Sequence, residues 1–233
     1  MNSPLILAVD TDDLELAKSW VSATTSYIGV YKLGLEFFLK FGLAGVKAIQ
    51  NETDSKIFLD LKLHDIPNTV GGAAKQVMDL QPEFLTVHAS GGPAMITAAV
   101  LALPNTKITA VTILTSLDQM DLQAIGFAGT ASERSASLAT LAVAAGAKAI
   151  VSSPHEIENI RTAIADRALI ITPGIRPKLQ ESEGNQIRDD QKRVMDAKSA
   201  IAAGADLLVI GRPITAAPNI AEAAKSMLQE ALG

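Results

Sequence analysis

The chain has 233 residues, 48% of them hydrophobic, no cysteine, and a formal net charge of −5. Its size and apolar content suit one domain, residues 1–233, with a full core. The acidic balance excludes a bulk basic footprint for nucleic acid or an anionic membrane, and the lack of cysteine excludes disulfides and thiolate chemistry.

No signal peptide is expected, because Met1-Asn2-Ser3-Pro4 is not a basic region followed by an apolar stretch. No apolar run reaches the roughly 18 residues a bilayer span needs. A soluble, cytoplasmic protein is the expectation. Apolar runs fall at 5–9, 28–33, 57–61, 84–88, 108–114, 147–151, 168–172 and 207–210. Their spacing of roughly 20 to 40 residues is that of a βα unit. Helical stripes lie between them, such as Leu14, Ala17, Trp20 and Val21, and Leu138, Leu141, Ala142 and Ala145. Asp12 is expected to cap the first helix and Asn68 the helix after the third strand, Gly146 to end the fifth and Gly204 the seventh. Eight strands alternating with eight helices predict an α/β fold, a (β/α)8 TIM barrel in a single domain, with a doubly wound open sheet as the alternative. Two loops, 115–132 and 173–194, are longer than a barrel needs and follow the fifth and seventh strands.

Charged and polar residues gather where the strands end. The first strand ends at Asp10, the second carries Lys32, and the third carries Asp60 and Lys62. The fourth ends at His88, the fifth at Thr115-Ser116 and the eighth at Gly211-Arg212. In a parallel barrel these ends converge on one rim. Strand alternation puts Phe58, Asp60 and Lys62 on one face and Leu59, Leu61 and Leu63 on the other. Buried ion pairs contribute little to stability, so two acids and two bases here read as a site for chemistry. The turns Thr172-Pro173-Gly174-Ile175-Arg176 and Ile210-Gly211-Arg212-Pro213 read as a phosphate site. Glycine admits an anion, the following helix offers free N–H groups, and Arg212 supplies a fork. His64, His88 and His155 make no convincing set of ligands, and no required metal is expected.

Together these residues resemble the orotidine 5'-phosphate decarboxylase family across essentially the whole chain. The core of the resemblance is the run from Phe58 to Thr69, Phe-Leu-Asp-Leu-Lys-Leu-His-Asp-Ile-Pro-Asn-Thr. Val9-Asp10, Tyr31-Lys32-Leu33-Gly34, Leu114-Thr115-Ser116, Asp190-Gln191-Lys192-Arg193 and the two turns just quoted stand beside it in order. The resemblance implies a cofactor-free decarboxylation of orotidine 5'-phosphate to uridine 5'-phosphate. It makes Lys32, Asp60, Lys62 and Asp65 an alternating charged tetrad, with Lys62 giving a proton to pyrimidine C6. Asp10 and Lys32 would hold ribose hydroxyls, and Thr115 and Ser116 would read the pyrimidine ring. Arg176, Gln191, Gly211 and Arg212 would grip the phosphate. Asp65 and Thr69, with Ile66 between them, would reach the substrate of a partner subunit, which implies a homodimer with shared sites. One departure is the segment 179–189, longer than the family's usual bacterial loop, which leaves Gln186 as an alternative to Gln191. A sugar-phosphate decarboxylase such as 3-keto-L-gulonate-6-phosphate decarboxylase shares the Asp-x-Lys-x-x-Asp motif. It uses magnesium and an extra acid at the second strand end, where this chain has Lys32, with Glu36 already in the next helix.

Overall fold

Each of the apolar runs forms a strand. In the computed structural model, which describes residues 3–177 and 194–233, they are β1 (Leu5–Ala8), β2 (Val30–Gly34), β3 (Lys56–Leu63), β4 (Phe84–His88), β5 (Lys107–Val111), β6 (Ala149–Val151), β7 (Leu169–Thr172) and β8 (Leu207–Ile210). All neighbours pair in parallel and β8 closes onto β1, so the sheet is a complete barrel. The open-sheet alternative is thereby set aside. Closure leaves no sheet edge, and parallel pairing requires a crossover after every strand.

The crossovers are helical. They comprise α1 (Leu14–Thr24), α2 (Leu35–Gln50), α3 (Pro67–Gln76), α4 (Pro93–Ala102), α5 (Gln119–Ala124), α6 (Ala131–Ala144), α7 (Ile157–Ile164), α8 (Ala197–Ala202), α9 (Arg212–Thr215) and α10 (Ile220–Leu232). Two short helices, α5 and α9, add to the expected eight. The first occupies the long 115–132 loop, where Asp118 and Asp121 form a reciprocal capping box. Gly146 and Gly204 both take left-handed φ, +101° and +108°, just beyond the ends of α6 and α8. That conformation closes a helix at little cost only where there is no Cβ.

Two expected caps are corrected. Asp13, not Asp12, caps α1, accepting from the N–H groups of Glu15 and Leu16 at 2.9 and 3.0 Å. Asp12 instead takes the Lys40 ammonium at 3.0 Å, whose hydrogen bond and charge lower its pKa. Asn68 does not cap α3. Pro67 opens that helix as its first residue, leaving Ile66 at the cap and Asn68 already inside.

The core has two parts. The larger packs the outward residues of the barrel, among them Leu7, Leu33, Leu59 and Leu85, against the helices. The smaller fills the barrel's interior with Ile6, Val30, Phe58, Phe84, Ala149 and Ile171. Phe58 and Phe84 meet with ring centroids 5.4 Å apart, tilted by 57°, a geometry aromatic pairs favour. This plug is the floor on which the polar strand ends stand. Among the described residues no helix is long and apolar enough to cross a membrane.

Candidate active site

One cavity of about 500 Å³ opens above the plug. Asp10, Lys32, Asp60, Lys62, Thr115, Arg176, Gly211 and Arg212 all line it. The strand ends therefore converge as the barrel topology requires.

The charges are linked in a row. The Lys32 ammonium lies 3.1 Å from Asp10 Oδ1 and 3.4 Å from Asp60 Oδ2, and Lys62 Nζ donates to Asp60 Oδ1 at 2.8 Å. Asp60 and Lys32 are nearly enclosed, with side chains 12% and 11% exposed, whereas Lys62 is 31% exposed. Burial works to neutralise Lys32, but the charges of Asp60 and Asp10 outweigh it and raise its pKa. Burial likewise works to protonate Asp60, and Lys32, Lys62 and the Thr86 hydroxyl outweigh it and lower its pKa. Each group stays ionised because its neighbours are, so deleting one partner would leave a costly unpaired charge. Gly34 gives this row its room. A Cβ there would stand 3.0 Å from Asp10 Oδ1 and 3.5 Å from Lys32 Nζ.

Lys62 reaches its place differently from the alternation expected of a regular strand. Leu59 pairs with Leu85 and Leu63 with Val87, so residues 60–62 lie opposite Thr86 alone. The strand bulges, and Lys62 takes a left-handed φ of +49°, a conformation costing a residue with Cβ about 1–2 kcal/mol. Thr86 is fully buried. Its hydroxyl accepts from Lys62 N at 2.7 Å and donates to Asp60 Oδ1 at 3.0 Å. Sequence reasoning missed Thr86. The available signal was a hydroxyl on the inner face of the strand beside Asp60, two residues from Phe84. It also missed Ser152, buried at the end of β6 and lining the cavity.

Other expected residues distribute unevenly. Ser116 is exposed and, unlike Thr115, does not line the cavity, because the chain turns away toward α5. Asp65, Ile66 and Thr69 are exposed and outside their own chain's cavity. The Asp65 carboxylate accepts from the N–H of Ile66 at 2.6 Å. Gln191 and Gln186 lie outside the described residues. The base of their loop is held by a short parallel bridge, with Arg176 N donating to Met195 O at 3.0 Å and Met195 N to Gly174 O at 3.1 Å. The free N–H groups expected after β8 are fewer than foreseen. Pro213 has none, and those of Ile214 and Thr215 donate to Gly211 O at 2.8 and 3.0 Å. His64 is exposed in the turn after β3, with its ring centroid 5.4 Å from that of the partly buried His88. His155 is exposed elsewhere. Among the described residues no three His, Asp or Glu side chains group as a metal site would.

Paired acids and bases at strand ends, above an apolar plug and beside two arginines, define a (β/α)8-barrel enzyme with its site on the C-terminal rim. The chain matches the Orotidine 5'-phosphate decarboxylase / HUMPS family over residues 3–227 and belongs to that family. The orotidine 5'-phosphate decarboxylase of Thermobifida fusca is 47% identical over 230 residues, covering 99% of this chain and 96% of the relative. That of Moorella thermoacetica is 42% identical over 236 residues, covering 97% and 91%. The crystal structure of orotidine 5'-phosphate decarboxylase from Lactobacillus acidophilus aligns with a TM-score of 0.85 at 33% identity, covering 99% of this chain and all of that one.

Proposed function

We propose that this chain converts orotidine 5'-phosphate to uridine 5'-phosphate and carbon dioxide, the last step of pyrimidine nucleotide synthesis, in the cytoplasm and without a cofactor. The observation that carries this reading is the row Lys32–Asp60–Lys62 at the cavity wall, with contacts of 3.4 and 2.8 Å. The names of the relatives support the same substrate.

Breaking the C6–carboxylate bond leaves its electron pair on C6, with no adjacent electron sink. The Lys62 ammonium places a fixed positive charge there, gives its proton to C6, and regains one from solvent. Asp60 stands against the departing carboxylate, and their repulsion is relieved as neutral carbon dioxide leaves. A barrier reduction on the order of 20 kcal/mol exceeds what one ion pair supplies. Binding energy from the phosphate end adds to it through closure and exclusion of water.

The substrate spans the cavity in this reading. Asp10 and Lys32 hold ribose hydroxyls, Thr115 meets the pyrimidine ring, and Gly211, Arg212, Arg176 and Gln191 take the phosphate. Asp65, Ile66 and Thr69, exposed and outside their own chain's cavity, serve the partner's site in a homodimer, and Asp65 completes the tetrad there. The test is the loss of orotidine 5'-phosphate absorbance with and without chelator. Turnover in both arms is expected. Activity that vanishes with chelator and returns with magnesium would overturn the cofactor-free mechanism, and no turnover in either arm would overturn the substrate.

A further inference from the structure

We infer that Thr86 is a positioning residue for the reaction, holding Lys62 and Asp60 in register with each other through a single hydroxyl. The inference rests on the reading of Lys62 and Asp60 as the groups that act on the substrate. Thr86 does not line the cavity, so whatever it contributes passes through other residues.

The hydrogen-bond directions are forced. The Lys62 backbone N–H can only donate, so at 2.7 Å the Thr86 oxygen must accept from it. An ionised Asp60 can only accept, so the hydroxyl proton goes to Oδ1 at 3.0 Å. Lys62 Nζ donates to that same Oδ1 at 2.8 Å. A closed circuit results, running from the Lys62 backbone through Thr86 and Asp60 to the tip of the Lys62 side chain. Nothing in it can rotate without breaking a bond.

The circuit supports an otherwise unfavourable backbone. Residues 60–62 face one residue of β4, and Lys62 sits at φ +49°. Strained backbone persists only where its surroundings over-determine it. The buried Thr86 hydroxyl is the group on β4 that meets this bulge at both ends. Without it the Lys62 N–H loses its partner and the extended basin becomes the better one. The Lys62 side chain would then start from a rotated Cα, and its ammonium would leave the place where the proton is needed.

Valine and serine separate this role from packing. Valine keeps the shape of Thr86 and removes the hydroxyl, whereas serine keeps the hydroxyl and removes a methyl. A packing role predicts that serine is the worse replacement. Positioning predicts the reverse. For Thr86→Val, kcat is expected to fall about 10²-fold, the effect of a misplacement near 1 Å, while KM moves less than about threefold. Thr86→Ser should stay within about threefold of wild type in both constants. A Thr86→Val enzyme with near wild-type kcat, or a serine variant impaired as much as valine, would overturn the assignment. If Thr86→Val does not fold, Thr86→Ala against Thr86→Ser carries the same comparison. Crystal structures of the variants read the geometry directly. Lys62 should leave positive φ in the variants lacking the hydroxyl and keep it in Thr86→Ser. Unchanged Lys62 and Asp60 geometry without the hydroxyl would also overturn it. Should the wild type not turn over orotidine 5'-phosphate, the proposed function fails, and this crystallographic comparison alone decides the role of Thr86.

Discussion

The cavity wall formed by β1–β3 carries Asp10, Lys32, Asp60 and Lys62, whereas the wall formed by β5–β8 and the loops that follow them carries Thr115, Ser152, Gly174, Arg176, Gly211 and Arg212. Among the described lining residues both acids stand on the first wall, where two acids and two bases cancel to zero. Among the described lining residues the second wall holds the two arginines. Under the proposed function, the difference says where each end of the doubly anionic substrate belongs. A phosphate suits the wall that carries guanidinium forks. The balanced wall offers no net attraction, but it presents opposite charges at fixed points, which suits a bond whose charge shifts during reaction. On the proposed function, one wall binds and the other reacts.

If the walls divide the work in this way, the largest effect comes from the reacting one. Lys62→Ala should lower kcat by at least about 10²- to 10⁴-fold, the range general acid catalysis covers, with the fold retained by circular dichroism. A variant keeping more than about a tenth of wild-type rate would end the proton-donor role. The same variant tests whether this wall is completed from another chain. Mixed with an inactive Asp65→Ala chain, a statistical heterodimer carries one site damaged twice and one with neither lesion. Recovery up to about a quarter of wild-type activity is expected on free exchange. No recovery despite demonstrated exchange would place Asp65 in its own chain's site and remove the shared-site reading.

The binding wall should respond more mildly, and selectively. Arg212→Ala removes charge-assisted contacts worth about 1.5–3 kcal/mol each, so kcat/KM for the nucleotide should fall about 10²-fold. For orotidine, which lacks the phosphate, it should hardly change, since the lost contact has nothing to hold. Equal losses for both substrates would show that Arg212 acts through the fold, and the contrast between the walls would lose its meaning.

How much of this contrast is legible in the sequence depends on whether a residue's place follows from its own strand. Asp10, Lys32 and Asp60 are legible because each lies in the C-terminal part of its strand or just past its end, and barrel closure brings those parts together. Lys62 is legible by type and neighbourhood, but its conformation is not. Alternation assumes a regular register, and the register breaks opposite Thr86, on a strand more than 20 residues away. Caps fail for a related reason. Asp12 and Asp13 are adjacent acids, and Lys40, on α2, draws Asp12 away. Pro67 displaces Asn68 from the cap by starting the helix a residue earlier. Ser116 follows a strand end, but the loop after it carries its own short helix, which sequence periodicity over six residues does not reveal.

The smallest effect concerns a residue just behind the reacting wall. His88 is partly buried at the end of β4, against His64. Burial lowers its pKa, and the charges of His64 and Lys62 push in the same direction, with Asp60 opposing. The ordinary histidine value here is 6.5, so between the lowered folded value and 6.5 the unfolded chain binds the proton more readily. Stability therefore rises with pH through that window. The contribution of His88 is fully present above pH 6.5 and is lost as pH falls through its folded value. The Asp60–Lys62 pair should not mask this, because the lowered pKa of Asp60 keeps it ionised well below the same window. Wild type should accordingly lose more thermal stability between pH 7 and pH 5 than His88→Gln, which cannot take the proton. Parallel pH dependence in the two proteins would mean that His88 takes up its proton equally well folded and unfolded, and the charged wall would then exert no measurable hold on the strand beside it.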